Sequence, residues 1–195
     1  MSDLTSLQGS TPVELINETS GNAAVIDSTG SVKVSPGLFP DQDKAKLYSA
    51  SFDVNLPTGG TQTNMALIRN PSGSGKTMRI IEIGTDFTNT VAVSAYYRLY
   101  VDPTVTATGT SQTLTSLARG AGAAASAILV YSGPTTSSVG TRIDTWFATG
   151  GSTGSGYASD FDGMLTFAAN QDLLITGTPD GTNRNTMLTI WWLEE

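Results

Sequence analysis

The sequence predicts an all-β fold: an antiparallel β-sandwich or jelly roll preceded by an extended N-terminal arm with short hairpins. Three observations point there. Apolar and polar residues alternate at period two through much of the chain from Leu47 onward. Turn sequences rich in Gly, Pro, Asn and Asp punctuate the alternating runs. No two runs are separated by a convincing amphipathic helix, which disfavours parallel βαβ architecture. With 195 residues the chain can build one sizeable core, so length calls for one main domain.

Residues 1–46 read as an arm and linker. Val13 to Ile16, Ala23 to Ile26 and Val32 to Val34 are short apolar runs, separated by the turn-rich pieces Glu18-Thr-Ser-Gly-Asn22 and Ser28-Thr-Gly-Ser31. Each is too short to hold a core, and an isolated two-stranded hairpin is marginal in water, so such an arm orders itself by lying on another surface. A flexible leader is the alternative. Ser35-Pro-Gly-Leu-Phe-Pro-Asp41 continues neither a helix nor a central strand and reads as the linker.

Residues 47–195 read as the sandwich. Tyr48, Ala50, Phe52, Val54 and Leu56 occupy one face of the first strand and Ser49, Ser51, Asp53 and Asn55 the other, up to Pro57-Thr-Gly-Gly60. Thr63 to Arg69 and Met78 to Phe87 read as a hairpin joined by the wide loop Asn70-Pro-Ser-Gly-Ser-Gly75. Val91, Val93, Ala95, Tyr97, Leu99 and Val101 alternate against Ala92, Ser94, Tyr96, Arg98, Tyr100 and Asp102, and Pro103 ends that strand. Thr104 to Leu117 suits a solvated edge strand, and 119–126 a loop or one helical turn. Ala127 to Tyr131, Thr141 to Ala148, Met164 to Ala168, Leu173 to Thr176 and Thr186 to Leu193 bring the expected total to about nine strands, with a long glycine loop over 150–156. Exposed loops at the sandwich ends are where contacts are made.

Composition narrows the function classes. The chain has no histidine and no cysteine, the side chains most used for proton transfer at neutral pH, covalent attack and transition-metal binding, so the expectation is a non-enzyme without cofactor or metal. Charged residues make up only 14%, leaving a surface of uncharged Thr, Ser, Asn and Gly. A net charge of −7 and a pI near 4.4 oppose attraction to nucleic acid or an anionic membrane. The polar, acidic start lacks the basic and apolar regions of a signal peptide, and no apolar run approaches a membrane span, so the chain is expected to be made in a cytoplasm.

Ser72-Gly-Ser-Gly-Lys-Thr77 ends like a phosphate-binding P-loop, but the leading glycine is replaced by Asn70 and Met78 to Ile83 reads as a strand where a helix is needed. Asp41 with Asp43, and Asp160 with Asp162, have a spacing that suits a hard cation, but turn formation is the favoured explanation for them and for Asp180-Gly-Thr-Asn183. The serines lack a histidine base. Among the aromatics, Tyr96, Tyr100 and Trp191 lie on the faces opposite the more apolar ones, which marks them as subunit-interface candidates beside the alternative of simple burial. Trp146 and Tyr157, flanking the glycine loop, are candidates for stacking on a sugar ring or a partner protein; the alternative for Trp146 is closing the sandwich end.

The phrase Asn70-Pro-Ser-Gly-Ser-Gly-Lys-Thr-Met-Arg-Ile-Ile81, the Thr/Ser/Gly-rich middle and the closing strand Met187-Leu-Thr-Ile-Trp-Trp-Leu-Glu-Glu195 resemble jelly-roll virion structural proteins of tailed bacteriophages, over about residues 47–195. That resemblance implies a structural protein on the virion surface, a homotrimer. Within it the favoured role is a capsid decoration (cement) protein, its arm lying across the major capsid protein through Val13, Leu15, Ile16, Val25 and Ile26. A tail, head-fibre or baseplate protein contacting host glycans is the second reading. A free carbohydrate-binding or hydrolytic β-sandwich is the third.

Overall fold

The computed structural model describes residues 13–17, 22–26, 32–35, 46–87, 93–117, 125–150, 157–181 and 184–195. The chain divides into two compact units, Met1–Asp43 and Lys44–Glu195.

In the first unit the three apolar runs are strands: β1 (Val13–Asn17), β2 (Asn22–Ile26) and β3 (Val32–Ser35), paired antiparallel in that order. Their register puts Val13, Ile26 and Val32 in one row and Leu15, Ala24 and Val34 in another row of the same face. Six apolar positions thus share one side of the sheet. The opposite side mixes Glu14, Val25 and Lys33 with Ile16, Ala23 and Ser35. The residues expected to form the linker, 36–41, lie outside the described residues.

The second unit is an antiparallel sandwich. Its strands are β4 (Lys46–Leu56), β5 (Thr63–Asn70), β6 (Met78–Phe87), β7 (Val93–Val101), β8 (Thr104–Ala107), β9 (Thr110–Ser111), β10 (Thr115–Ser116), β11 (Leu129–Ser132), β12 (Thr135–Ser138), β13 (Thr141–Gly150), β14 (Tyr157–Phe167), β15 (Gln171–Pro179) and β16 (Arg184–Glu194). One sheet runs β10-β4-β16-β6-β14 and the other β13-β7-β15-β5-β11-β9, while β8 and β12 make a small two-stranded sheet. Among the eight long strands the first pairs with the eighth, the second with the seventh, the third with the sixth and the fourth with the fifth. Four such hairpin pairs wrapped into two sheets make a jelly roll.

Period-two alternation decides which side chains meet between the sheets. Tyr48, Ala50, Val54 and Leu56 from β4, with Leu188, Ile190 and Trp192 from β16, face Ala95, Tyr97 and Leu99 of β7 and Leu173 and Ile175 of β15 across one core. Trp192 stacks on Tyr48 with ring centroids 5.9 Å apart. Gly177 lies opposite Tyr97 in the ladder, and a Cβ there would sit 2.7 Å from Met65 Sδ and 2.8 Å from Leu56 Cδ2, so a larger residue would have to displace those two side chains.

Three sequence expectations are corrected. Thr63 to Arg69 and Met78 to Phe87 do not form a hairpin: β5 and β6 belong to different sheets, and their connection crosses the sandwich. The stretch expected as one solvated edge strand contains three short strands, β8, β9 and β10, each paired to a different neighbour. The described strands of this unit also exceed the expected nine, because Thr- and Ser-rich pieces such as β12 pair without apolar alternation.

A second buried layer lies outside the main core. Leu67 and Leu174 point to the outer side of the six-stranded sheet, opposite Ala66, Ile68, Leu173 and Ile175, yet are fully buried. Asn64, also on that side, donates through Nδ2 to the Pro134 carbonyl at 3.2 Å and to Thr136 Oγ1 at 3.1 Å, which holds β12 over this face. Gly109 and Gly140, both at φ +88°, come so close to the Ser132 and Val101 carbonyls that a side chain has no space.

Candidate interaction surfaces

The glycine-rich connection after β5 is a structural clasp. Asn70 is wholly buried; its Nδ2 donates to the Lys76 carbonyl at 2.9 Å and to the Phe167 carbonyl at 3.2 Å, and Ser74 Oγ donates to its Oδ1 at 2.6 Å. The Lys76 amide in turn donates to Ser74 Oγ at 3.1 Å. Strand β6 follows at Met78, so the helix N-terminus that a P-loop requires is replaced by extended chain. The asparagine that breaks the motif is the residue that holds the loop.

Carboxylates are dispersed. Asp180 accepts from Ser94 Oγ at 2.9 Å, and its amide donates to the Ser94 carbonyl at 2.9 Å. Asp172 takes Arg69 in a bidentate pair, with contacts of 2.6 and 2.9 Å. Among the described residues no group of three or more acidic side chains is placed to hold a metal ion. Asp41 and Asp43 lie outside the described residues, as does the Asp162 side chain. Glu194 is a buried carboxylate facing the core, and it accepts from Trp192 Nε1 at 3.1 Å, from the Ala127 amide at 3.0 Å and from Ser126 Oγ. It pins the start of the 125–128 segment to the end of β16. Neither its burial nor its partners were visible in the sequence.

The aromatic candidates separate. Trp146, proposed for a ligand loop, is only 5% exposed and stacks on Tyr97 at 5.7 Å and 19°, so its ring faces the core and offers no surface to a sugar. Tyr157 opens β14, and its side chain lies outside the described part, as does loop 151–156. Tyr96 is 47% exposed on the outer side of the six-stranded sheet and packs on Phe147, its cross-strand partner, at 4.6 Å. Tyr100 shares that outer side but is only 8% exposed, in register with the buried Leu174, so this chain itself covers it and it is no free interface residue. Trp191 is 39% exposed on the outer side of the five-stranded sheet. Tyr96 and Trp191 therefore belong to two surfaces.

Each surface has a distinct make-up. On the five-stranded sheet the register gives three rows: Ser49, Trp191, Glu82 and Asp160; then Ser51, Thr189, Gly84 and Ala158; then Asp53, Met187 and Asp86. Two exposed apolar side chains flank a row of small residues and stand beside four carboxylates. On the six-stranded sheet Tyr96 and Phe147, the latter 43% exposed, have Arg98 in the next row and Arg142, opposite Tyr100, in the row after. Phe147 is not among the candidates that the sequence offered. Its signal was available: if Trp146 faces in, its neighbour faces out.

No protein-family model and no curated protein matches the chain. Among solved structures it is similar to the chain in "Crystal structure of infectious bursal disease virus VP2 subviral particle", at 11% identity and TM-score 0.17 over 95% of this chain and 47% of that one. It is similar also to the chain in "Structure of infectious bursal disease virus Gt strain", at 12% identity and TM-score 0.14 over 88% and 46%. This chain spans about half the length of those chains, given coverages of 47% and 46%. Strand order is what identifies the jelly roll.

Proposed function

We propose that this chain is a non-enzymatic structural protein of a virus particle, a capsid decoration protein whose N-terminal unit binds the shell. The observation that carries this reading is the apolar face of the first sheet, where Val13, Leu15, Ala24, Ile26, Val32 and Val34 share one side. A sheet face of that kind needs a second layer. Major capsid protein would supply it, and repetition over a lattice turns modest affinity per copy into durable attachment. Of the arm residues singled out in the sequence, Val13, Leu15 and Ile26 fall on this face and Ile16 and Val25 on the other. The jelly roll is compatible with a virion role but hosts many unrelated functions. The resemblance to bacteriophage virion proteins favours that source. Loss of Trp146 as a surface residue weakens the host-glycan alternative.

Copy number in purified particles, by quantitative mass spectrometry against the major capsid protein, tests the role; a ratio near one or a regular fraction such as a third is expected. Full-length chains carrying Leu15→Asp or Ile26→Asp should lose shell binding while the sandwich melts as in the parent. Full occupancy by both variants would overturn the attachment reading.

A further inference from the structure

The outer faces of the jelly roll carry opposite charge around exposed apolar side chains. Trp191 and Met187 stand among Asp53, Glu82, Asp86 and Asp160; among the described residues of that face the cation is Arg79, which sits at its far end and pairs with Glu195 at 3.1 Å. Asp86 Oδ1 is buried there without a hydrogen-bond donor among the described residues. On the other sheet the tilted Tyr96–Phe147 pair has Arg98 in the next row and Arg142, opposite Tyr100, in the row after, while the Asp180 carboxylate held by Ser94 Oγ lies one row the other way. Arg98 donates to Thr178 Oγ1 at 2.8 Å, and among the described residues neither arginine has a carboxylate at ion-pair distance.

We propose that copies of this chain associate head to tail, the acidic Trp191–Met187 face of one copy seating on the Arg98–Phe147 face of the next. Aromatic, Met and Arg side chains are the types enriched at protein interfaces, and charge complementarity sets register and excludes wrong pairings. A second copy is the occupant because both complementary halves are present on the same chain, on different sheets. Two distinct patches make the contact heterologous, which closes into a ring or runs on as an array. Association of this kind does not involve the N-terminal unit, so its failure and a failure of shell attachment are separable.

Sedimentation velocity of the full chain over a wide concentration range tests it. The parent should self-associate. Glu82→Lys and Arg98→Glu should each weaken association by at least about tenfold, because each places like charges across the contact. An equimolar mixture of the two variants should associate more tightly than either variant alone, since each then presents the face that the other requires. Unchanged thermal melting of both variants serves as the folding control. A parent that stays monomeric throughout, variants that associate like the parent, or a mixture that associates no more tightly than either variant alone would each overturn the proposal.

Discussion

Trp192 Nε1 donates to Glu194 Oε1 at 3.1 Å in the buried interior, and the same carboxylate takes the Ala127 amide and the Ser126 hydroxyl. A carboxylate inside a core survives only with its oxygens satisfied. Glu194→Ala strands three donors and should cost about 3–5 kcal/mol, measured by urea unfolding, whereas Glu194→Gln keeps the shape and should cost less. Equal stability of Glu194→Ala and parent would show that water replaces the carboxylate.

Tyr97 gives the fold an alkaline limit. Burial, opposed in part by hydrogen bonds with Thr186 and Thr85, pushes its hydroxyl up from 10.0 to about 12. The folded state thus holds the proton more tightly than the unfolded one. The extra stability is fully present below pH 10 and is lost as pH rises to about 12, amounting to roughly 2.7 kcal/mol at most. Tyr48 is raised as well, by burial and by Glu194, and adds in the same direction. Tyr97→Phe should flatten the loss above pH 10 in denaturant titrations, at a neutral-pH cost of about 1 kcal/mol from the lost Thr186 bond.

Trp146→Ala should destabilise the domain by about 3–5 kcal/mol, since it empties a core site against Tyr97. Parental stability combined with lost glycan adsorption would instead restore Trp146 to a ligand site.

Two glycines at positive φ should respond differently. Gly75 has open space around its missing Cβ, so Gly75→Ala pays only for left-handed backbone, about 1–2 kcal/mol. Gly140 abuts the Val101 carbonyl, so Gly140→Ala should cost about 3 kcal/mol or more and loosen the small sheet of β8 and β12. Thermal melts of the two variants rank them.

The core strands were legible where one face is buried and the other wet: the inward set of β4, Tyr48 to Leu56, and that of β7, Ala95 to Val101, follow from alternation alone. Strand partnership was not. Neighbours in sequence such as β5 and β6 part to different sheets because long-range register is settled by packing that no local pattern encodes. The surfaces were half legible. Tyr96 and Trp191 do face outward, but Tyr100 at the same parity is buried within this chain beside Leu174, which alternation alone does not show. For Trp146 a ligand loop and closure of the sandwich end were both open, and its burial against Tyr97 fits the second; its outward neighbour Phe147 was missed, since in a strand one position changes the face.

Strand β16 lies between β4 and β6, so the middle of the five-stranded sheet is made of residues 184–194, while the strands on either side come from residues 46–87. During synthesis those two strands wait, ladder edges open, until nearly a hundred later residues have emerged, as the spacing from Phe87 to Arg184 requires. Nascent chains therefore pass through a stage with two long unpaired edges, the state most prone to joining a neighbour's strands. Truncation before Arg184 should yield aggregate rather than a smaller folded domain.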